Sequence, residues 1–287
     1  MRYLLQPATC LAAVLIGHAA FAQSPAAPPT PPTDELADSS ADAGFLAQKI
    51  ANRYGIGDWD QVQHLEFTFN VQPADQDRPT VSRSWAWNNA EQHVTRTVDG
   101  REVGIALADD PQQQDEQWKQ VHRQFINDSY WLLFPFYLVW SDPVVTVSER
   151  PQLMPMGGQT ADRYTAQWPA EGGYTPGDAY DLYVDPDTGL IRQWAFRKGG
   201  AMDNPRPMTW DNHQRLGPLL VSLDHHGPAD EQGRATRLFF TGVAATLADG
   251  STVRPGSPLD ADAAADAQPD AAVDAVSDTG PEPAAAE

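Results

Sequence analysis

The fold class is decided by a segment early in the chain, Leu65-Glu66-Phe67-Thr68-Phe69-Asn70-Val71. Its apolar residues occupy alternate positions, which is the period-two pattern of a strand with one buried side and one solvent-facing side. The same alternation recurs along the chain, and it predicts about eleven short strands separated by turn signals. The predicted strands span residues 65–71, 81–87, 92–98, 101–107, 144–148, 161–168, 180–184, 190–196, 208–213, 218–224 and 234–244.

Two segments show helical spacing instead, residues 43–54 and 111–128. In the second, Trp118, Val121 and Phe125 fall on one helical stripe. Strands and helices do not alternate as they do in parallel βαβ units. The pattern therefore predicts an α+β fold, in which a few helices cover the concave side of a curved antiparallel half-barrel sheet.

A charge-free aromatic block follows the second helix, Tyr130-Trp131-Leu132-Leu133-Phe134-Pro135-Phe136-Tyr137-Leu138-Val139-Trp140. It is too short to span a bilayer, which needs about 20 apolar residues. Pro135 disfavours an uninterrupted helix or a central strand. We therefore expect a helical turn and a loop that press against an apolar surface as a lid or lip.

The first 22 residues are predicted to be a secretory signal peptide. Arg2 supplies the positive start, residues 11–16 form the apolar centre, and Ala20-Phe21-Ala22 is an A-x-A cleavage site. Cys10 precedes most of the apolar centre, which favours cleavage after Ala22 over lipidation of the cysteine. We expect a periplasmic or secreted protein with no transmembrane segment.

Two segments are acidic and poor in large apolar residues. Residues 23–43 hold five prolines and four acids, and residues 257–287 hold eight acids and no base. Neither can bury enough apolar surface to offset the entropy of ordering, so both are predicted to be disordered. The predicted organisation is a signal peptide at 1–22, a linker at 23–43, one half-barrel domain at 44–256 and a tail at 257–287.

The charge of the chain argues against nucleic-acid binding. Its 19 Lys and Arg stand against 39 Asp and Glu, a formal net charge of -20, and no basic cluster is evident. Residues 44–256 keep 18 bases and 27 acids, so the domain itself is only moderately acidic. One cysteine excludes a disulfide framework and a Cys-rich zinc site.

The sequence offers little catalytic chemistry. Asp224-His225-His226 is the local cluster closest to a metal motif, but two adjacent histidines in a strand point to opposite faces. Ser129 is interpreted as a cap or turn residue. Arg163, Arg192 and Arg197 are either clamps for a lipid headgroup or ordinary outer-face charges, and we favour the second. We predict no catalytic residues, no metal site, no cofactor and no enzymatic activity.

Several motifs between residues 44 and 245 together resemble a known family. They are Gly57-Asp58-Trp59-Asp60, residues 65–69, residues 127–136, Tyr174-Thr175-Pro176-Gly177-Asp178, Tyr183-Val184-Asp185-Pro186 and Leu190-Ile191-Arg192-Gln193-Trp194. In this order they resemble an uncharacterised family of exported bacterial proteins within the Lol-type lipoprotein-carrier superfamily. The resemblance implies a half-barrel that binds lipid or acyl chains inside a concave sheet, with no established reaction.

The aromatic residues give an independent indication of the same kind of site. A curved sheet with aromatic inner positions forms an apolar concavity, although aromatic stripes are also ordinary core. The candidate ligand-binding residues are Phe67, Phe69, Trp85, Trp87, Trp131, Phe134, Phe136, Trp140, Trp194 and Phe196.

The leading hypothesis is an exported protein that holds a lipid, a fatty acid or a lipoprotein in this cup. One alternative is a protein-interaction or structural module of the cell envelope, whose aromatic residues are all core. Another is a hydrolase, which would need an acid, a histidine and a nucleophile that converge.

Overall fold

A computed structural model of the chain describes residues 33–75, 77–98, 101–107, 109, 113–171 and 176–256. Over these residues the chain forms fourteen strands, two long helices and two short 3-10 turns. The predicted α+β class with antiparallel sheets is confirmed. The predicted signal peptide and tail lie outside the described residues, as do the first ten residues of the predicted linker.

The stretch 65–71 lies at the centre of the larger sheet, sheet A, whose strands run in the order β11-β12-β13-β1-β2-β3-β4, with β14 beside β13. Leu65 pairs with Trp87, and Phe67 pairs with Trp85, so their side chains share the buried face. The bounds are β1 Val62–Gln72, β2 Val81–Asn88, β3 His93–Val98, β4 Arg101–Ala106, β11 Asp211–Leu216, β12 Leu219–His226, β13 Arg237–Leu247 and β14 Thr252–Val253.

The smaller sheet, sheet B, has the order β10-β9-β8-β7-β5, with β6 beside β7. Its bounds are β5 Val144–Val147, β6 Gln152–Leu153, β7 Thr160–Gln167, β8 Ala179–Val184, β9 Ile191–Arg197 and β10 Arg206–Thr209. The single strand predicted at 208–213 is in fact two strands, β10 and β11, separated by Trp210. At this fully buried residue the chain passes from sheet B to sheet A. The two-residue strands β6 and β14 were not predicted, because two residues are too few to show a period.

The first helix, α1, spans Thr33–Arg53 and begins ten residues before its predicted start. It therefore includes residues 33–43 of the predicted linker. Ala47, Ile50 and Tyr54 are buried where the helix and its end pack against the rest of the molecule, and α1 contacts both β5 and the second helix.

The second helix, α2, spans Glu116–Trp140, so the prediction of a separate loop over residues 130–140 was wrong. Asp115 caps its start, since the side chain accepts a hydrogen bond from the Trp118 N–H at 2.8 Å. The helix accommodates Pro135 through a kink at Leu133, whose φ and ψ are -124° and 22°. Burial of the surrounding apolar side chains outweighs the cost of the proline.

The helix α2 joins the two sheets across the opening between them. It follows β4 and precedes β5, which end the strand orders of sheet A and sheet B. Its side chains contact strands of both sheets, so this helix covers the inner side of the sheets, as predicted.

Candidate functional site

The candidate site is the contact region between α2 and the inner faces of both sheets, which we call the aromatic interior. We define it by the residues whose rings meet there: Trp85, Trp87, Phe125, Phe134, Phe136, Trp194 and Trp210. All seven are buried.

At sheet A, the N-terminal half of α2 packs against two tryptophans of β2. The ring centre of Phe125 lies 5.4 Å from that of Trp85 and 5.3 Å from that of Trp87, and both contacts are edge-on. This geometry is the favoured one for aromatic pairs.

At sheet B, the C-terminal half of α2 inserts Phe134 among aromatic residues of β8 and β9. Its ring centre lies 4.9 Å from that of Trp194 and 5.0 Å from that of Tyr180. Trp210 extends the group, with its ring 5.5 Å from Trp194. Aromatic contacts of this kind add to the free energy gained from area burial.

The structure brings most of the ten candidate ligand-binding residues together inside the molecule. Those that are at most 6% exposed are Phe67, Phe69, Trp85, Trp87, Phe134, Phe136 and Trp194. Trp131 and Phe196 are half-buried, and Trp140 is 38% exposed. The rings are packed against one another and against α2.

Trp140 and Trp59 form the solvent-facing end of the aromatic interior. The ring of Trp59 lies 4.9 Å from Trp140, 5.1 Å from Trp87 and 5.6 Å from Phe136. This pair, with Trp59 half-buried and Trp140 exposed, links the interior to the surface at the C-terminal end of α2.

A buried ion pair fixes α2 to sheet A. Asp128 of α2 is fully buried, and its carboxylate accepts hydrogen bonds from Arg83 Nε at 2.6 Å and Nη2 at 2.5 Å. It also accepts one from Trp85 Nε1 at 2.9 Å. We call this arrangement the Asp128 latch, because one carboxylate of the helix holds two side chains of β2.

Sequence reasoning missed the Asp128 latch, although a signal was present. Arg83 shares the period-two face of Trp85 and Trp87, so a cation was directed toward the interior. A charge on a buried face requires a buried partner. The partner, Asp128, lies 45 residues away in sequence, and its identity depends on which face of α2 docks.

The interpretation of Ser129 as a cap was also wrong, since the residue lies inside α2. Its hydroxyl contacts the Ile126 carbonyl at 3.2 Å and Tyr137 Oη at 2.7 Å. The Tyr137 bond joins the two sides of the kink. Burial raises the pKa of Tyr137 well above its usual value, so its hydroxyl stays neutral.

Several polar atoms of the interior have no hydrogen-bond partner among the described residues. They include the indole N–H groups of Trp87, Trp118, Trp194 and Trp210. A buried N–H without an acceptor costs about 1–3 kcal/mol. The packing of α2 on the sheets is therefore destabilised by these unpartnered indole N–H groups.

His225 is a buried titratable group of this region. It is fully buried beside Trp210 and Trp131, and its Nδ1 lies 3.1 Å from the Thr209 carbonyl. Burial lowers its pKa to about 4, and the carbonyls of Thr209 and Trp131 partly oppose that shift. The Trp131 carbonyl lacks an intrahelical donor because Pro135, four residues later, has no N–H. The imidazole is therefore neutral at pH 7.

The histidines do not converge on a site. His226 follows His225 in β12 and points the other way, with Nε2 3.1 Å from Asp224. Within the described part of the chain, no three His, Cys, Asp or Glu side chains are close enough to hold a metal ion.

The three arginines singled out from the sequence lie outside the aromatic interior. Arg197 forms a buried ion pair with Asp181 at 2.9 Å, on the face of sheet B opposite Trp194. Arg192 pairs with Asp185 at 2.9 Å in the β8–β9 hairpin. Arg163 lies on the same outer face as Asp181. None of them is a clamp at the candidate site.

Two shallow depressions, of about 460 and 230 Å³, lie on the outer face of sheet A. Glu66, Ala86 and Thr95 line both of them. Neither depression lies between α2 and the sheets. Among the described residues, neither long helix has the length and apolarity to cross a membrane.

No protein-family model and no curated protein matches the chain. Similar solved structures are a DUF1329 family protein from Desulfovibrio piger, a putative outer membrane lipoprotein-sorting protein domain from Vibrio parahaemolyticus and a LolA superfamily protein from Nitrosomonas europaea. Their sequence identities are 6%, 9% and 9%, and their TM-scores are 0.36, 0.37 and 0.35. The alignments cover 72%, 78% and 69% of this chain and 91%, 97% and 92% of those structures. The structural neighbours are thus DUF1329 and LolA superfamily proteins, while the fold assignment rests on the strands and helices themselves.

Proposed function

We propose that the protein binds an apolar ligand, either an acyl chain, a lipid or a lipidated partner, in the aromatic interior after α2 moves away from the sheets. The observation that carries the proposal is the aromatic lining shared by α2 and two curved sheets. Displacement of the helix would expose a continuous apolar concavity, and an acyl chain would replace the helix there. Burial of each methylene contributes about 0.8 kcal/mol.

Two features of the structure support this movement. The kink at Leu133 divides the helix next to Pro135, so one half can move while the backbone hydrogen bonds of the other persist. The Ser129–Tyr137 side-chain hydrogen bond would have to break. The unpartnered indole N–H groups of Trp194 and Trp210 make the closed arrangement less stable than a fully satisfied core. An ester carbonyl of a bound lipid would supply the acceptors that these groups lack.

The proposed location is the periplasm or the extracellular space. It rests on the sequence of residues 1–22, with cleavage after Ala22. A lipid or lipoprotein would be encountered there as the partner, and the proposed role is to bind it without a chemical reaction.

The direct test is mass spectrometry of an organic extract from the full-length protein purified from a bacterial envelope. The expected result is a stoichiometric lipid or fatty acid. In parallel, the lipid-free protein is mixed with cis-parinaric acid, whose fluorescence rises in apolar sites. Transfer of excitation from the tryptophans to the probe reports uptake into the aromatic interior.

Two matched variants decide whether α2 controls the uptake. Asp128→Asn weakens the latch between α2 and sheet A, so we expect faster uptake of the probe. Asp181→Asn weakens another buried Asp–Arg pair, on the outer face of sheet B, and it should leave the rate unchanged. Equal rates in both variants would contradict the proposed movement.

The alternative of an envelope interaction module is favoured by one observation, the close packing of the interior. If the protein yields no lipid, and neither the unaltered chain nor Asp128→Asn takes up the probe, the interior serves only as core. That result would favour the module over the apolar-ligand proposal.

A further inference from the structure

Three arginines lie around one buried tyrosine–histidine pair at the end of α1. Tyr54 Oη lies 3.0 Å from His213 Nε2 and accepts a hydrogen bond from the Ile191 N–H at 2.9 Å. Because Tyr54, Ile191 and His213 are in contact, the arginines next to them in sequence also come together. Arg53 precedes Tyr54, Arg192 follows Ile191, and Arg215 lies two positions after His213 in β11. We call Arg53, Arg192 and Arg215 the arginine cluster.

Among the described residues, Arg215 takes part in no ion pair. Arg192 pairs with Asp185, and Arg53 Nε donates to the Thr188 carbonyl at 2.7 Å. Arg215 is half-buried. Burial lowers the pKa of Arg53, and the positive charge of Arg215 lowers it further. Like charges are therefore close enough to repel one another.

The described chain ends beside the same cluster. The N–H of Gly256 donates to the carbonyl of Arg215 at 3.4 Å. Asp260 and Asp262 follow four and six residues later, and a fully extended chain reaches about 14 and 21 Å over those lengths. The first acidic residues beyond Gly256 are therefore within reach of Arg215.

Segment 257–287, which lies outside the described residues, has the complementary charge. It holds eight acids and no base, whereas the domain retains most of the arginines. Because the segment is tethered at Gly256, its carboxylates meet the cluster at a high effective concentration. We propose that the first acidic residues of this segment, Asp260 and Asp262, dock on the arginine cluster and so cover an anion-binding surface of the same chain.

The contact is electrostatic and partly exposed, so it should be sensitive to salt. Exposed ion pairs are individually weak, and their strength here depends on several carboxylates that share several arginines. At 1 M salt the screening length falls to about 3 Å, which separates this contact from an apolar one. The inference does not depend on the ligand proposed for the aromatic interior.

The test is paramagnetic relaxation enhancement in the full chain. A nitroxide is attached at Ala263→Cys in a Cys10→Ser background, and the signals of the Arg53, Arg192 and Arg215 Nε–H groups are recorded. We expect strong broadening at low salt that is lost at 1 M sodium chloride. It should also be lost in Asp260→Asn/Asp262→Asn, but retained in the matched variant Asp274→Asn/Asp278→Asn. The proposal would be overturned if the broadening stayed the same at 1 M sodium chloride and in Asp260→Asn/Asp262→Asn.

A second measurement distinguishes the tail from a free anion. Inorganic phosphate is titrated into the unaltered chain and into Asp260→Asn/Asp262→Asn. If the tail occupies the cluster, phosphate shifts the Arg215 signal at a lower concentration in the variant. The same midpoint in both proteins would show that the cluster is open to external anions, and it would contradict docking of the tail.

Discussion

The Asp128 latch gives the most direct test of how α2 is held. Asp128→Ala removes the one carboxylate that Arg83 and Trp85 share, and it leaves a cation and an indole N–H facing the interior. Removal of one partner of a buried ion pair costs about 3–5 kcal/mol. The Arg83 side chain is 13% exposed and can turn partly toward water. We therefore expect the lower end of that range, about 3 kcal/mol.

The assay is urea unfolding followed by tryptophan fluorescence. With a slope of about 3 kcal/mol per molar urea, the expected loss lowers the midpoint by about 1 M. Replacement of both partners in Arg83→Met/Asp128→Leu should restore most of the loss, because no buried charge remains. As a control, Asp230→Ala removes the partner of Arg234 at an exposed ion pair and should leave the midpoint unchanged.

The reasoning would be refuted by an Asp128→Ala variant that loses less than about 1 kcal/mol, the range of an exposed pair. It would also fail if the double variant were no more stable than Asp128→Ala. In that case the charge would not be the source of the loss.

Two further predictions concern buried histidines and one glycine. Burial lowers the pKa of His213 to about 3 and that of His225 to about 4, whereas in the unfolded chain both take up protons near pH 6.5. The free energy of unfolding should therefore fall by about 3 kcal/mol for each as pH drops from 7 to 4. A flat stability profile in urea over that range would contradict this expectation. Gly55→Ala should cost at least about 1 kcal/mol, since Gly55 has a φ of 90° and a Cβ there would lie 2.6 Å from the Pro218 carbonyl oxygen. Gly57→Ala, where a Cβ meets nothing within 4 Å, is the matched control, and equal Tm losses would rule out the clash.

Local patterns predicted the sheets well because alternation is a property of a few neighbouring residues. The stretch 65–71 alternates, and it is the central strand of sheet A with Leu65 and Phe67 on the buried side. The same reasoning placed Trp85 and Trp87 on one face. The antiparallel arrangement followed from short strands joined by turns.

The course of α2 was not predictable in the same way. Pro135 is a strong local signal against a helix, and it did produce a kink at Leu133. The helix nevertheless continues, because Phe134 and Phe136 gain more from burial against the sheets than the proline costs. That gain depends on strands more than 40 residues away in sequence, so no local window contains it.

The candidate site shows the same division between local and long-range information. The sequence identified the aromatic residues of the interior, including Phe134 and Trp194. It predicted that helices cover the concave side, but not that α2 continues through residues 130–140 and contacts both sheets, because this depends on which helix face meets the sheets. Nor did it identify Trp210, whose position between two strands is defined only when sheet A and sheet B are assembled.

The unpartnered indole N–H groups of the aromatic interior explain why removal of the Asp128 carboxylate should lower the free energy of unfolding so much. Trp87, Trp194 and Trp210 each bury an N–H without an acceptor among the described residues, and each such group costs about 1–3 kcal/mol. Ring contacts and the Asp128 latch must offset that cost for α2 to stay on the sheets. Rings can repack after a small displacement, whereas an unpaired Arg83 can be satisfied only by water. Loss of the latch therefore favours admission of solvent beneath the N-terminal half of α2, and opening of the interior should begin there rather than at the kink.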